Sequence, residues 1–530
     1  MPSRTTTPID IEITGKLLNS IAEEMGIVLR KSAFSPNIKE RCDFSCAIFD
    51  KNGRMLAQAA HIPVHLGAMP MTVKALMERF RFSPGDVVIT NDPFAGGSHL
   101  PDITLMRGIF PPDQPDEPIF YVVNRAHHAD VGGVTPGSMP LARSIQEEGV
   151  LIEPSMLVTS GNIDKKLLKK IISPMRNQDE RQGDLRAQLA ALERGNSRLL
   201  EFYTQNRQHV EERVSLLLSY GKRIMETVIQ EIPDGQWSFR DFLDNDGISN
   251  EPIPIEVGLR ISGGRATLDF SRSAPQLSTG LNTVRSVTCS AVYYCFFCLL
   301  GQHHPINHGS LEPIEVITQK GTVLHALPGA PVAAGNVETS QRIVDCVLGA
   351  LAQAIPHRIP AASAGTMNNV AMGGIGPGGS QFAYYETLGG GMGARPGSHG
   401  LSAVQTHMTN TLNTPTEVIE QEYPLQILEY SIRKNSGGQG QYRGGDGICR
   451  KYRFLAPATV TLLTERRALP PYGLHGGGPG CRGKNLLLSA ETGVETGLPG
   501  KVHVKAGPGD ILTILTPGGG GMGRNTVQNH

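Results

Sequence analysis

An α+β fold made of several regions is predicted by three features of the chain. Helical spacing is confined mainly to the first 35 residues and to one long stretch, 163–232, so helices are segregated rather than alternating with strands. Glycine is abundant, 62 of 530 residues, and clusters at 373–379, 389–393, 437–447, 473–483 and 518–523 without a fixed period. Between those clusters lie short apolar runs of strand length, which makes the second half β-rich with glycine loops. A chain of this length exceeds one compact core. The regions expected are 1–160, an α+β region with a metal site; 161–232, helical; 233–370, a β-meander plus helices; 371–523, β-rich; and 524–530, a disordered tail.

Residues 9–35 place Ile13, Leu17, Leu18, Ile21, Met25, Val28 and Leu29 at helical spacing, an opening amphipathic helix. Cys46–Asp50 followed by Lys51-Asn-Gly-Arg54 reads as a strand and a tight turn. Strand-like runs at Val87–Ile89 and Phe120–Asn124 each lead into a loop carrying His and Asp beside glycines. From Ile163 to Ile232 an apolar stripe fits two or three helices, interrupted near Gly195-Asn196. After Pro233-Asp-Gly235 the period changes to two, a meander with a Gly263-Gly264 turn. A buried helix is expected over Val287–Leu300. Another begins at Thr339, with Thr339 or Ser340 as its N-cap.

Composition excludes several function classes. Lys plus Arg equals Asp plus Glu at 49 each, so there is no electrostatic footprint for nucleic acid or an anionic membrane. No run approaches the ~18–20 apolar residues of a membrane span, and the N-terminus lacks the apolar core of a signal peptide. Eight scattered cysteines form no disulfide framework, and the Cys295/Cys298 pair lies inside an apolar run that suits packing. A cytoplasmic protein is expected. Gly478–Asn485 comes within one residue of a phosphate-binding loop, but Asn485 replaces the final hydroxyl and a strand pattern follows instead of a helix. Gly374–Gly379 spells GxGxxG and again leads to a strand, so it is a turn.

The chemistry concentrates in two segments, Thr90-Asn-Asp-Pro-Phe-Ala-Gly-Gly-Ser-His99-Leu-Pro-Asp102 and Ala126-His127-His128-Ala-Asp130-Val-Gly-Gly133. Imidazoles and carboxylates at two strand ends suit a divalent metal, which needs about three protein ligands if one position stays open for water. Solvated or turn-capping side chains are the plainer alternative.

These segments, with Arg41–Asp50, Gly335–Arg342, Thr409–Glu417 and Ser436–Gly445, resemble the hydantoinase B/oxoprolinase family over nearly the whole chain. The resemblance implies a division of labour. A separate A-type subunit binds ATP and phosphorylates the amide oxygen of a cyclic amide, and the B-type subunit, represented by this chain, hydrolyses the activated ring at a metal site holding water. The implied metal ligands are Asp43, His99, Asp102 and His127, with Glu40 a rival to Asp43. His127 is preferred to His128 because neighbours near a strand end point to opposite faces. His128 and Asp130 are the catalytic candidates, and Asp130 could equally orient a ligand or cap a turn. Asn336, Glu338 and Arg342, at an expected helix N-terminus, and Arg395 on a glycine loop are expected to contact the substrate. Mixed oxygen and nitrogen ligands suit Zn, Mn or Fe. The rivals are a subunit of an ATP-dependent acetone or acetophenone carboxylase, and a non-catalytic scaffold subunit.

Overall fold

Thr7 and Asp10 cap each other's backbone at the start of helix α1 (Pro8–Ser32), and Pro8 fits the first turn, where no N–H partner is needed. The computed structural model describes residues 6–59, 62–301 and 304–524; the expected tail lies outside them except for Arg524. A short helix α2 (Pro36–Lys39) follows, then strands β1 (Phe44–Asp50) and β2 (Met55–Gln58), helix α3 (Ala68–Arg79), and strands β3 (Val87–Thr90), β4 (Asp102–Ile109) and β5 (Phe120–His127). The turn α4 (Ile145–Glu148) precedes β6 (Ser155–Thr159) and β7 (Asn162–Ile163). These strands form one open sheet in the order β2-β1-β5-β4-β3-β6-β7.

The sheet is covered on both faces. Cys46, Ile48 and Val122 point into one apolar core, whereas Ala47, Phe49 and Val123 point into another with Met69, Val73 and Leu76 of α3. Three helices follow, α5 (Lys165–Ile172), α6 (Gln178–Asn206) and α7 (Val210–Gln230). Leu18, Ile21, Met25 and Leu29 of α1 are buried in the first core with Leu185, Leu192 and Leu199 of α6. Each such side chain contributes on the order of 1.5–3 kcal/mol. The interruption expected near Gly195 is absent, and α6 runs through it. A Cβ on Gly195 would come within 2.6 Å of Met25 Sδ and 2.9 Å of Val122. This glycine serves close packing of α6 on α1 and β5, which offsets its poor helix propensity.

The meander is β8 (Gly235–Leu243), β9 (Ile253–Ser262) and β10 (Arg265–Asp269), with Gly263 and Gly264 both at positive φ in the turn. Helix α8 (Arg285–Phe297) and strand β11 (Ile314–Ile317) complete a sheet ordered β11-β10-β9-β8, against which helix α9 (Ser340–Ala354) packs. The last part of the chain holds β12 (Asn369–Ile375), β13 (Gln381–Thr387), α10 (Thr416–Glu422), β14 (Leu425–Arg433), β15 (Gly447–Phe454), β16 (Ala458–Leu463), β17 (Lys484–Leu488), β18 (Glu495–Leu498), β19 (Lys501–Ala506) and β20 (Ile511–Leu515). They make two sheets, β13-β12-β16-β19 and β14-β15-β20-β17-β18, joined by a core of Val370, Met372, Val460 and Leu462 against Tyr452, Phe454, Leu512 and Ile514.

The architecture is therefore mixed α/β with several open sheets. Beside these sheets the glycine loops stack backbone on backbone. A Cβ on Gly391, Gly444 or Gly519 would fall 2.0–2.1 Å from a facing carbonyl oxygen, a spacing no other residue permits. No helix among the described residues is long and apolar enough to cross a membrane.

Candidate metal centre

The antiparallel register of β4 and β5 sets Asp102 directly opposite His127. His99 lies one turn earlier, its carbonyl accepting from the Asp102 N–H at 3.1 Å. Three atoms then converge. His99 Nε2, His127 Nδ1 and Asp102 Oδ1 lie 3.2 Å from one another on all three edges. Each residue is nearly sealed from solvent, at 1–3% exposure. This is the group of metal-ligating side chains found among the described residues. A tetrahedral shell with bonds of ~2.0–2.1 Å has ligand-to-ligand edges of ~3.3–3.4 Å. The donor set and its spacing therefore fit a divalent cation. The far nitrogens, His99 Nδ1 and His127 Nε2, have no partner, so the polar contacts of both rings are spent on the cluster.

The surroundings hold the carboxylate in place. Ser98 Oγ donates to Asp102 Oδ2, and His65 Nε2 lies 3.3 Å from the same oxygen. Ser45 Oγ is 2.8 Å from His65 Nδ1, fixing the ring from behind. Burial alone would raise the Asp102 carboxyl, but the neighbouring His99 and His65, with hydrogen bonds from His127 and His65, hold it well below the usual carboxylate range. Burial lowers the His65 pKa against the pull of Asp102. The Tyr385 ring stacks on His127 at 4.8 Å and 14°. Its hydroxyl donates to Asn369, whose amide donates to Glu338.

Of the expected substrate contacts, Asn336 reaches the cluster, its amide nitrogen 3.3 Å from His99 Nε2 and its oxygen without a partner. The chain gets there through a single π-helical turn, Gly335–Thr339, inserted ahead of α9. This corrects the expected N-cap: neither Thr339 nor Ser340 caps a helix start, and their hydroxyls donate to the carbonyls of Leu281 and Asn336. Within this turn Gly335 lies flat on Asn282, where a Cβ would sit 1.8 Å from the carbonyl oxygen.

The other candidates do not join the three converging atoms. The Asp43 backbone carbonyl accepts from His127 N at 2.9 Å, but its carboxylate is 3.7 Å from the Arg41 guanidinium and outside the converging group. Glu40 lines a separate surface cleft. His128 turns to the opposite face, where Gln188 of α6 lies 3.0 Å from its Nε2 and burial lowers its pKa to about 4. Asp130 clamps its own loop. Its oxygens accept from Gly132, Gly137 and Arg176 backbone N–H groups and from the Arg176 guanidinium at 2.8 Å. Glu338 is buried, and burial reinforced by Glu465 pushes it up to about 8. Arg342 is enclosed by Asp241, Asp345 and Glu465. Arg395 stands exposed in a turn closed by Ser398. His65, Ser45, Ser98 and Tyr385 were not anticipated. Ser98 alone had a signal, its place beside His99.

The chain belongs to the hydantoinase B/oxoprolinase family, whose signature matches residues 7–525. An uncharacterised protein of Methanocaldococcus jannaschii is 42% identical over 97% of this chain and 90% of its own length. The 5-oxoprolinase 1 of Arabidopsis thaliana is 39% identical over 98% of this chain, which spans only 42% of that longer protein. The crystal structure of an ATP-dependent caprolactamase from Pseudomonas jessenii superposes with a TM-score of 0.92 at 26% identity, covering 99% of this chain and 93% of that one.

Proposed function

We propose that this member of the hydantoinase B/oxoprolinase family is the B-type, metal-bearing subunit of an ATP-dependent enzyme that hydrolyses a cyclic amide. The observation that carries this reading is the convergence of His99, Asp102 and His127 on one buried point. A divalent cation held there would acidify a coordinated water and polarise the ring carbon–oxygen bond. The residues around it do the positioning. Ser98 and His65 fix the Asp102 carboxylate, Tyr385 fixes the plane of His127, and Asn336 presents an amide for a substrate polar atom.

An unstrained amide is a poor electrophile, so phosphorylation of its oxygen from ATP must precede attack. Neither glycine segment that approaches a phosphate loop forms one. Gly478–Gly483 leads into strand β17, where no helix N-terminus faces an anion. The ATP site therefore belongs to an A-type partner, which accords with the longer chain of the plant 5-oxoprolinase. His128 and Asp130 act as scaffold, Glu338 supports the site through Asn369, and Arg342 belongs to a buried ionic group apart from it.

Elemental analysis of the purified chain tests the reading. Wild type should carry near-stoichiometric divalent metal, and His99→Ala and Asp102→Ala should each lose it while keeping wild-type circular dichroism. Ring opening should then require ATP and a co-expressed A-type subunit. A wild-type chain that binds no metal when offered Zn, Mn or Fe would sink the proposal.

A further inference from the structure

Behind the loop that leads to His99 lies a cavity lined by unpaired cations. It encloses about 450 Å³ between helix α3, the turn at 93–96, the start of α8 and the loop at 320–328. Small-molecule sites span roughly 300–1,000 Å³. Lys74, Arg285 and Lys320 line the cavity and stay exposed. None of the three forms an ion pair among the described residues. The Arg285 guanidinium has only long contacts, to the Met71 sulfur at 4.0 Å and the Val316 carbonyl at 3.5 Å. Glu78 is the single carboxylate among the lining residues, so three cations leave two positive charges in excess. Burial lowers the pKa of His325, in the same wall, and Arg285 and Lys320 lower it further. Both cations therefore act on one partly buried ring. Met71, Phe94, Val284 and Leu327 make much of the remaining wall apolar. Like charges gathered over apolar walls focus a positive field into the cleft.

We propose that this cavity binds a small organic phosphate, its charged group among Lys74, Arg285 and Lys320 and its apolar body against Phe94 and Leu327. A phosphate monoester is close to a dianion at neutral pH, which matches the charge excess, and its organic part covers wall that a bare ion would leave wet. The inner wall links the site to the metal centre. Thr72 Oγ1 donates to the Gly96 carbonyl at 2.7 Å, and Ser286 Oγ donates to the Gly97 carbonyl. Gly96 and Ser286 line the cavity, and Ser98 and His99 follow Gly97 directly. A ligand there bears on the backbone leading to the converging atoms without touching them. The inference stands apart from the proposed chemistry, since no lining residue belongs to the metal cluster.

Isothermal titration of the full chain with phenyl phosphate tests it, with inorganic phosphate as the comparison. The ester should saturate one site and bind more tightly than the bare ion. Arg285→Ala and Lys320→Ala should each weaken it by about fivefold. Both side chains are exposed, so circular dichroism should not change. Hydrogen exchange of the 94–97 amides should slow at saturation, and His99→Ala should bind the ester as wild type does. No saturable binding, or binding indifferent to both Arg285→Ala and Lys320→Ala, overturns the site. Inorganic phosphate binding as tightly as the ester overturns the organic ligand. Loss of binding in His99→Ala would put the phosphate at the metal centre and overturn the separate cavity.

Discussion

His407 is buried against α8, its Nδ1 3.3 Å from the Tyr294 hydroxyl and its Nε2 without a partner. Burial lowers its pKa from 6.5 to about 4. The unfolded chain therefore binds the proton more readily, and the neutral ring favours the fold only above the ordinary value. That contribution, on the order of 3 kcal/mol, is complete above about pH 6.5 and is lost as pH falls toward 4. His407→Asn keeps a residue that tolerates the φ of 60° found there. Denaturant titrations should show a flatter loss of stability between about pH 6.5 and 5 in this variant; an unchanged slope would refute the assignment. The residue scale also shows the limit of motif reading. His99, Asp102 and His127 stand in short, dense segments and were legible. His65 and Tyr385 touch the cluster from 34 residues before His99 and from the far sheet, and nothing in their local sequence marks them.

Among the elements, the π turn Gly335–Thr339 matters most to the site, because it carries Asn336 to His99 and Glu338 to Asn369. Its geometry hangs on Gly335. Gly335→Ala should force the turn off Asn282, costing about 1–3 kcal/mol as an overpacked contact, and should weaken metal retention by shifting Asn336. Thermal melting and dialysis against a chelator would check both effects; wild-type retention would argue that Asn336 does not support the cluster. Reading the sequence as an ordinary capped helix failed here because the cap residues were present but their hydroxyls bond elsewhere, Thr339 to the distant Leu281 carbonyl and Ser340 back to Asn336 within the turn. The same conflict decided α6, where Gly195 is a packing contact.

Across the whole molecule, a buried ionic group ties β8, α9 and the chain after β16. Arg342 and Arg466 share Asp241 and Asp345, with Glu465 and Lys501 adjoining. Removing one member of a buried set leaves the others uncompensated, at about 3–5 kcal/mol. Arg342→Leu should lower stability by that amount and cut soluble yield, with metal stoichiometry intact in whatever folds. Loss of metal at unchanged stability would instead return Arg342 to the site. An Arg within a Gly/Asn/Glu/Thr segment reads as an anion contact, and the structure pairs it instead with the carboxylates of β8 and α9.

What the sequence determined by itself was whatever depends on short range. Helix and strand periods, the Asn-Gly and Gly-Gly turns, the rejection of both phosphate-loop look-alikes and the two segments bearing the cluster all follow from residues close along the chain. The family resemblance was likewise legible, and the family signature matches. The tertiary structure decided which side of the β5 end faces the cluster, which glycines are contacts rather than breaks, and which charged residues are sealed away from any ligand. Those outcomes depend on neighbours tens to hundreds of residues distant, such as Tyr385 against His127 and Asp241 against Arg342. Burial and register set them, and local sequence encodes neither.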